Sequence, residues 1–215
     1  MINVEKIIAI SLKSDLARQA QTEIELSKLK LKTDFFLVDR DPENRERGCF
    51  NSHVEVAKMA LSNHDENILI CEDDVHILSF TQKQIEAINH FLKKNQSFDV
   101  LYLGLIIDKM WLCSQYPIVR AKGAGLHAYI LSRRGIEKMA ASRYNGTPID
   151  KIVKHDFKGY SIYPIIADQY PKHIAKSENY SQTLINEGEQ DVIFWQTNLK
   201  KQKWILFKYW YKAFT

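Results

Sequence analysis

The stretch Ile68-Leu69-Ile70-Cys71-Glu72-Asp73-Asp74-Val75, ILICEDDV, is an apolar run that stops at three consecutive carboxylates. A short run of branched aliphatic residues with no polar alternation reads as a strand covered on both faces, as in a parallel sheet. Acids at the end of such a strand sit on the rim where open α/β sheets collect their ligands. Adjacent carboxylates raise one another's pKa unless a cation neutralises them. Oxygen-rich clusters suit Mg²⁺ or Mn²⁺, which take one or two protein carboxylates and complete their shell with water and substrate phosphate. The acids therefore point to a divalent ion and a diphosphate-bearing substrate, with a solvated acidic loop as the alternative.

Outward from this strand the elements alternate. KIIAISL (Lys6 to Leu12) reads as a buried strand, followed by a helix from Asp15 to Leu31 with Leu16, Ala20, Ile24 and Leu31 on one face and Ser14 or Asp15 as its cap. A second strand, DFFLV, ends at Asp39, and RDPENRERG then reads as a polar loop punctuated by Pro42 and Gly48. A helix from Ser52 to Ser62 leads into ILICEDDV; a helix from Thr81 to Lys94 and a strand from Phe98 to Leu105 follow. This order predicts an α/β fold: a mixed, mostly parallel sheet flanked by helices. The second half reads as strands WLCSQYPIV and GLHAYILS, helices RRGIEKMAAS and PIDKIVKHDF, and a strand YSIYPIIA.

With 215 residues, 45% hydrophobic and 26% charged, the chain has the composition of one globular domain, which excludes collagen-like, coiled-coil and largely disordered classes. A formal charge of +4, spread among interleaved acids, is too weak for a nucleic-acid partner. Cys49, Cys71 and Cys113 show no CxxC spacing and suggest neither a disulfide framework nor a thiolate metal site, so a cytoplasmic location is expected. The opening MINVEKIIAISLKSD is unlike a signal peptide, and no run approaches the ~20 apolar residues of a membrane span.

GCFNSH (Gly48 to His53) lies one helix and one strand before the acids. Ser52 is the expected N-cap there, offering free N–H groups to an anion, and Gly48 would permit close backbone approach.

Taken together, GCFNSH, ILICEDDV, DVLYLG, GLHAYILSRRGIEKM, PID and PIIADQ, in this order, resemble glycosyltransferase family 25, the lipooligosaccharide galactosyltransferases with their collagen galactosyltransferase relatives. The resemblance covers most of residues 4 to 180. It implies a single-domain, Rossmann-like GT-A fold over residues 1–185, a UDP-hexose donor with galactose as the expected sugar, and transfer with inversion. It further implies Mn²⁺ or Mg²⁺ at the acidic motif. Asp74 would then touch the metal, with Glu72 or Asp73 binding ribose, metal-bound water or a second metal position. Where the family usually carries an N-L-x-x-R-x-x-R signature after its first strand, this chain has SLKSDLARQAQ with Arg18 alone.

Asp39 is a candidate for the uridine or ribose side. An inverting transfer needs a general base, for which Asp150 in TPIDKIV is the candidate, at a helix start after Pro148; a simple N-cap is its alternative role, and Asp156 and Asp168 are reserves. His127 is expected to line the cleft or to be buried, and Gly123 and Gly125 to let backbone approach the donor. Gln169 and His173 follow YPIIA and would close over the donor, His173 within reach as a third metal ligand. Residues 186–215 form a basic aromatic tail; as a helix it would place Leu206, Phe207, Trp210 and Phe214 opposite Lys201, Lys208 and Lys212, suiting peripheral contact with the inner membrane or packing on protein. The expected partners are a nucleotide sugar and a lipooligosaccharide or other surface-glycan acceptor. Two other functions fit the same acids: a Mg²⁺-dependent phosphoryl-transfer hydrolase, and a non-catalytic glycan- or nucleotide-sugar-binding protein.

Overall fold

The computed structural model describes residues 1–30, 32–94, 97–170 and 182–209, with the side chains of 182–191 left aside. Among the described residues, six strands form one sheet in the order β2-β1-β3-β6-β5-β7: β1 (Lys6–Leu12), β2 (Thr33–Val38), β3 (Asn67–Glu72), β5 (Val100–Trp111), β6 (Ile118–Ser132) and β7 (Gly159–Ile162). The strands β2, β1 and β3 pair in parallel, β5 pairs in parallel with β7, and β6 runs against its neighbours. A small ribbon joins β4 (Val75–Ile77) to β8 (Ala167–Gln169).

Side-chain alternation along the strands builds a core on each face of the sheet. Ile8, Ile68, Ile70, Val100 and Leu131 face α2 (Arg45–Ser62), α4 (Arg133–Ala141) and α5 (Ile149–Asp156). Ile7, Leu69, Cys71, Leu101 and Ile130 face α1 (Leu16–Ser27) and α3 (Gln82–Lys94). Burial on both faces is why β3 shows no polar alternation. The fold is of the expected α/β class, a mixed, mostly parallel sheet with helices on both faces.

Four local expectations change. Asp15 does cap α1, accepting from the Arg18 N–H, but Leu16, Ala20 and Ile24 face solvent; Thr22, Glu25 and Leu26 are the buried residues. The predicted loop shrinks, because α2 begins at Arg45 behind an Asn44 cap that accepts from the Arg47 N–H. Ser52 is therefore not an N-cap: it lies inside α2 and donates back to the Gly48 carbonyl at 2.8 Å. Gly48 sits in the same helix, where a Cβ would come within 2.8 Å of the Asp41 Cβ, so its smallness serves helix-to-loop packing.

The expected strand WLCSQYPIV is instead the end of β5, a turn over 112–117 and the start of β6, and the expected GLHAYILS is the rest of β6, which pairs with a longer β5. Helix α6 (Gln182–Lys208) crosses the expected start of the tail and docks on β5. Its Asn198 mimics a strand, accepting from the Ile107 N–H and donating to the Leu105 carbonyl, where the β5–β6 register is irregular. Trp195 and Ile205 are buried and Leu206 half-buried against the core, so Leu206 and Phe207 do not share an outward face as expected; Trp210, Lys212 and Phe214 lie outside the described residues.

Candidate active site

The parallel strands β2, β1 and β3 end on one edge of the sheet, and that edge carries a pocket of about 320 Å³. Ser11, Asp39 and Glu72 come from the strand ends, Cys49, Ser52 and His53 from one face of α2, and Asp73 and Asp74 from the turn between β3 and β4. Gly48 also lines it. Seven residues expected around the donor or metal, Asp39, Gly48, Ser52, His53, Glu72, Asp73 and Asp74, thus meet in one cleft.

The three acids have separate surroundings. Asp73 accepts from the Ser11 hydroxyl at 2.7 Å and pairs with Arg18 at 2.8 Å. Burial raises its pKa, against the pull of Arg18 and Ser11. Asp74 faces Arg18 at 3.1 Å and takes both Gln169 amide contacts at 3.2 and 3.3 Å; burial and then the Glu72 charge push its carboxyl up to about 7. Burial acts on Glu72 in the same direction, but His53 at 3.4 Å and the charges around it hold its carboxyl below the ordinary range. Glu72 is the ionised member of the pair and Asp74 the strained one.

The Gln169 amide also touches Glu72 at 3.5 Å, so Glu72 and Asp74 converge on one point, while Asp73 is held by Ser11 and shares Arg18 with Asp74. Two carboxylates sharing a point, one of them pushed up by burial and by the other's charge despite Arg18, fit the donor set of Mg²⁺ or Mn²⁺. His173, the expected third ligand, lies outside the described residues.

The acidic turn is held from behind. Thr22 donates to the Asp73 carbonyl at 2.9 Å, the Tyr170 N–H donates to the Asp74 carbonyl at 2.7 Å, and the Tyr170 hydroxyl donates to Glu25 at 2.8 Å.

Arg40 and Arg45 line the same pocket, and Arg18 bridges Asp73 and Asp74. Arg40 and Arg45 make no ion pair among the described residues, whereas Arg47 is locked on Asp41, whose carboxyl it pulls down to about 2. Arg45 is the first residue of α2, where free N–H groups add positive potential. The sequence reading assigned no role to Arg40 and Arg45, since both fell in an apparent loop. The Asn44 cap three residues before Arg47, with Glu46 in the first turn, was the signal for an earlier helix start.

Asp150 is in the first turn of α5 and makes no cap; its carboxylate accepts from the Gly125 N–H at 3.4 Å. Cys49 is an exposed residue, but desolvation of its thiol, with the charges of Glu72, Asp150 and Asp74, pushes that thiol up to about 12. Gly125 has φ +80, a conformation that favours glycine, and presents its N–H to Asp150. Gly123 is closed in by the Ile106 carbonyl, 2.4 Å from where a Cβ would be. His127 does not line the cleft: it is fully buried, packed edge-on against Trp195 of α6, and burial lowers its pKa. Asp168 is engaged by His76 at 2.7 Å.

A mostly parallel α/β sheet whose strand ends gather acids and arginines in one pocket has the arrangement in which open α/β sheets collect their ligands. The family model for glycosyltransferase family 25, described as an LPS biosynthesis protein, matches residues 43–153. The chain belongs to glycosyltransferase family 25. It is 25% identical over 134 residues to a Drosophila melanogaster "Glycosyltransferase 25 family member", covering 59% of this chain and 20% of that protein. An Anopheles gambiae protein of the same description is 22% identical over 144 residues, covering 65% and 23%. The chain thus spans about a fifth of the length of the curated relatives it matches. Among solved structures, a glycosyltransferase involved in the glycosylation of the major capsid of PBCV-1 is similar with a TM-score of 0.46 and 9% identity, over 86% of this chain and 98% of that one.

Proposed function

We propose that this protein is an inverting hexosyltransferase that takes galactose from a UDP-sugar to a lipooligosaccharide, LPS or other surface glycan. One observation carries the reading: Glu72 and Asp74, the latter already paired with Arg18, share a single pocket at the strand ends with Arg40 and Arg45. A diphosphate needs cations on its oxygens, and a departing nucleoside diphosphate needs them more as charge accumulates. Arg40, Arg45 and the start of α2 bind that charge. Glu72 and Asp74 would hold Mn²⁺ or Mg²⁺, which supplies further stabilisation of the leaving diphosphate when bound. Asp150 takes the proton of the acceptor hydroxyl as its oxygen attacks the anomeric carbon; the bond to the diphosphate breaks and its electron pair leaves with UDP. Asp39, just after β2, would meet the nucleoside side of the donor.

The test is donor binding by thermal shift. UDP-galactose with Mn²⁺ is expected to raise the melting temperature, and Arg40→Ala with Arg45→Ala to weaken binding at least tenfold, the loss of charge-assisted contacts of about 1.5–3 kcal/mol. No shift with any UDP-sugar plus Mn²⁺ would remove the donor class.

Contact with the cytoplasmic face of the inner membrane belongs to the same proposal, through α6. No described helix is long and apolar enough to cross a membrane. The outward side of α6 exposes Ile193, Trp204 and Phe207 beside Lys200, Lys203 and Lys208, with the Lys208 ammonium 5.0 Å from the Trp204 ring centre. Exposed aromatics flanked by lysines suit an anionic headgroup layer. Co-sedimentation with phosphatidylglycerol-containing vesicles is expected for the wild type, and a loss of roughly tenfold for Trp204→Ala with Phe207→Ala; equal binding by the variant would remove the membrane contact.

A further inference from the structure

The pocket holds a second set of ligands, of which the diphosphate chemistry leaves Cys49 and His53 unused. Among the described residues, the Cys49 thiol, the His53 imidazole and the Glu72 carboxylate present ligand atoms all within 4.8 Å of one another. Cys49 and His53 are four residues apart on α2, so one helix face carries both. A helix beginning only at Ser52 would leave Cys49 outside it; the observed start at Arg45 puts both residues on the helix. The third ligand arrives from the end of β3.

The imidazole is already oriented for metal. Its Nδ1 lies 2.7 Å from the Tyr129 hydroxyl, which leaves Nε2 as the atom facing Glu72 at 3.4 Å. Metal-bound histidines are held in this way, by a hydrogen bond to the ring nitrogen that does not touch the ion. Bonds of about 2.0–2.3 Å from zinc to nitrogen, oxygen and sulfur give a tetrahedron with edges of roughly 3.5 Å. The His53–Glu72 separation is already such an edge, and the Cys49 sulfur lies within 4.8 Å of both ligand atoms.

We propose that Cys49, His53 and Glu72 form a site for a thiophilic divalent ion of the Zn²⁺ class, beside the Glu72–Asp74 site and different from it in preference. Thiolate and imidazole select zinc or cobalt, whereas carboxylates and water suit Mg²⁺ and Mn²⁺. Three protein ligands leave a fourth position open to water or substrate. The thiol gives up its proton to solvent as the metal–sulfur bond forms, so binding releases a proton and strengthens with pH. Since Glu72 belongs to both ligand sets, zinc bound here draws it away from Asp74.

Titration of the full chain with Co²⁺ tests the site by a signal independent of turnover, so its failure is distinct from failure of the transferase reading. One equivalent is expected to give a thiolate-to-cobalt charge-transfer band that Zn²⁺ abolishes by displacement. Cys49→Ser should remove the band, while Cys113→Ser and Asp74→Asn keep it. His53→Gln should weaken Zn²⁺ affinity at least tenfold, measured by competition with a chromogenic chelator. Because Cys49 is exposed, its replacement by serine spares the core. A charge-transfer band that survives Cys49→Ser, or wild-type Zn²⁺ affinity in that folded variant, overturns the proposal.

Discussion

Asp74→Asn is expected to lower donor turnover at least roughly a hundredfold, the scale on which loss of one charge-stabilising group acts, while raising the melting temperature of the metal-free protein. The two effects share a cause. Burial and the Glu72 charge push the Asp74 carboxyl up to about 7, so folding at neutral pH holds an anion in a place that disfavours it. Because the folded value lies above the unfolded one of about 3.9, the cost is nil in strong acid, grows as pH rises past the unfolded value, and levels off above about 7. The asparagine variant escapes it. Its advantage at pH 8 should be several degrees, at about 2–4 °C per kcal/mol in a chain of this length, and should vanish near pH 4. Mn²⁺ should stabilise the wild type and leave the variant unmoved. Calorimetry across pH with and without Mn²⁺, beside a donor-hydrolysis assay, measures all of this; a variant with full turnover refutes Asp74 as a metal contact.

That acid was legible because a strand covered on both faces leaves a distinctive trace: Ile68, Leu69 and Ile70 alternate between two cores, and the run ends where the sheet ends. Periodicity misled at α1, where the apolar stripe of Leu16, Ala20 and Ile24 faces water. The helix instead turns Thr22 and Glu25 inward, because the acidic turn needs hydrogen-bonding partners, and no propensity scale anticipates buried glutamate. The start of α2 was hidden by Gly48, read as punctuation although a tight approach to Asp41 explains it. With that boundary went Arg40 and Arg45, which only the folded chain brings into one pocket with the acids. His127 sat on an alternating strand with both outcomes open, and α6 decided it by covering the ring with Trp195.

The buried glutamate on α1 carries the second large effect. Glu25→Ala is expected to cost about 3–5 kcal/mol of stability, the range for removing one partner of a buried charge network. The carboxylate is 2% exposed and accepts from the Ile77 N–H at 2.7 Å, the Tyr170 hydroxyl at 2.8 Å and the Lys28 ammonium at 2.7 Å. Burial alone would raise its pKa, but Lys28, Ile77 and Tyr170 together outweigh burial and leave it below the ordinary glutamate value. The sign follows: the stabilisation is complete above the unfolded-state value of about 4.3 and is lost as pH falls through the lower folded value. Glu25→Gln keeps the shape and an acceptor but not the charge, so its deficit relative to wild type should be greatest near neutrality and shrink between about pH 5 and pH 3. Denaturant unfolding at a series of pH values gives the curve; a deficit independent of pH would assign the effect to packing instead of charge. Catalysis should report the same link, since Tyr170 also holds the Asp74 carbonyl through its N–H and Thr22 holds that of Asp73. Loosening this clamp displaces the acidic turn without touching donor, so Glu25→Gln should lower kcat and weaken the apparent affinity for Mn²⁺ more than that for UDP-sugar. A variant that loses stability yet keeps wild-type Mn²⁺ affinity would confine Glu25 to the fold.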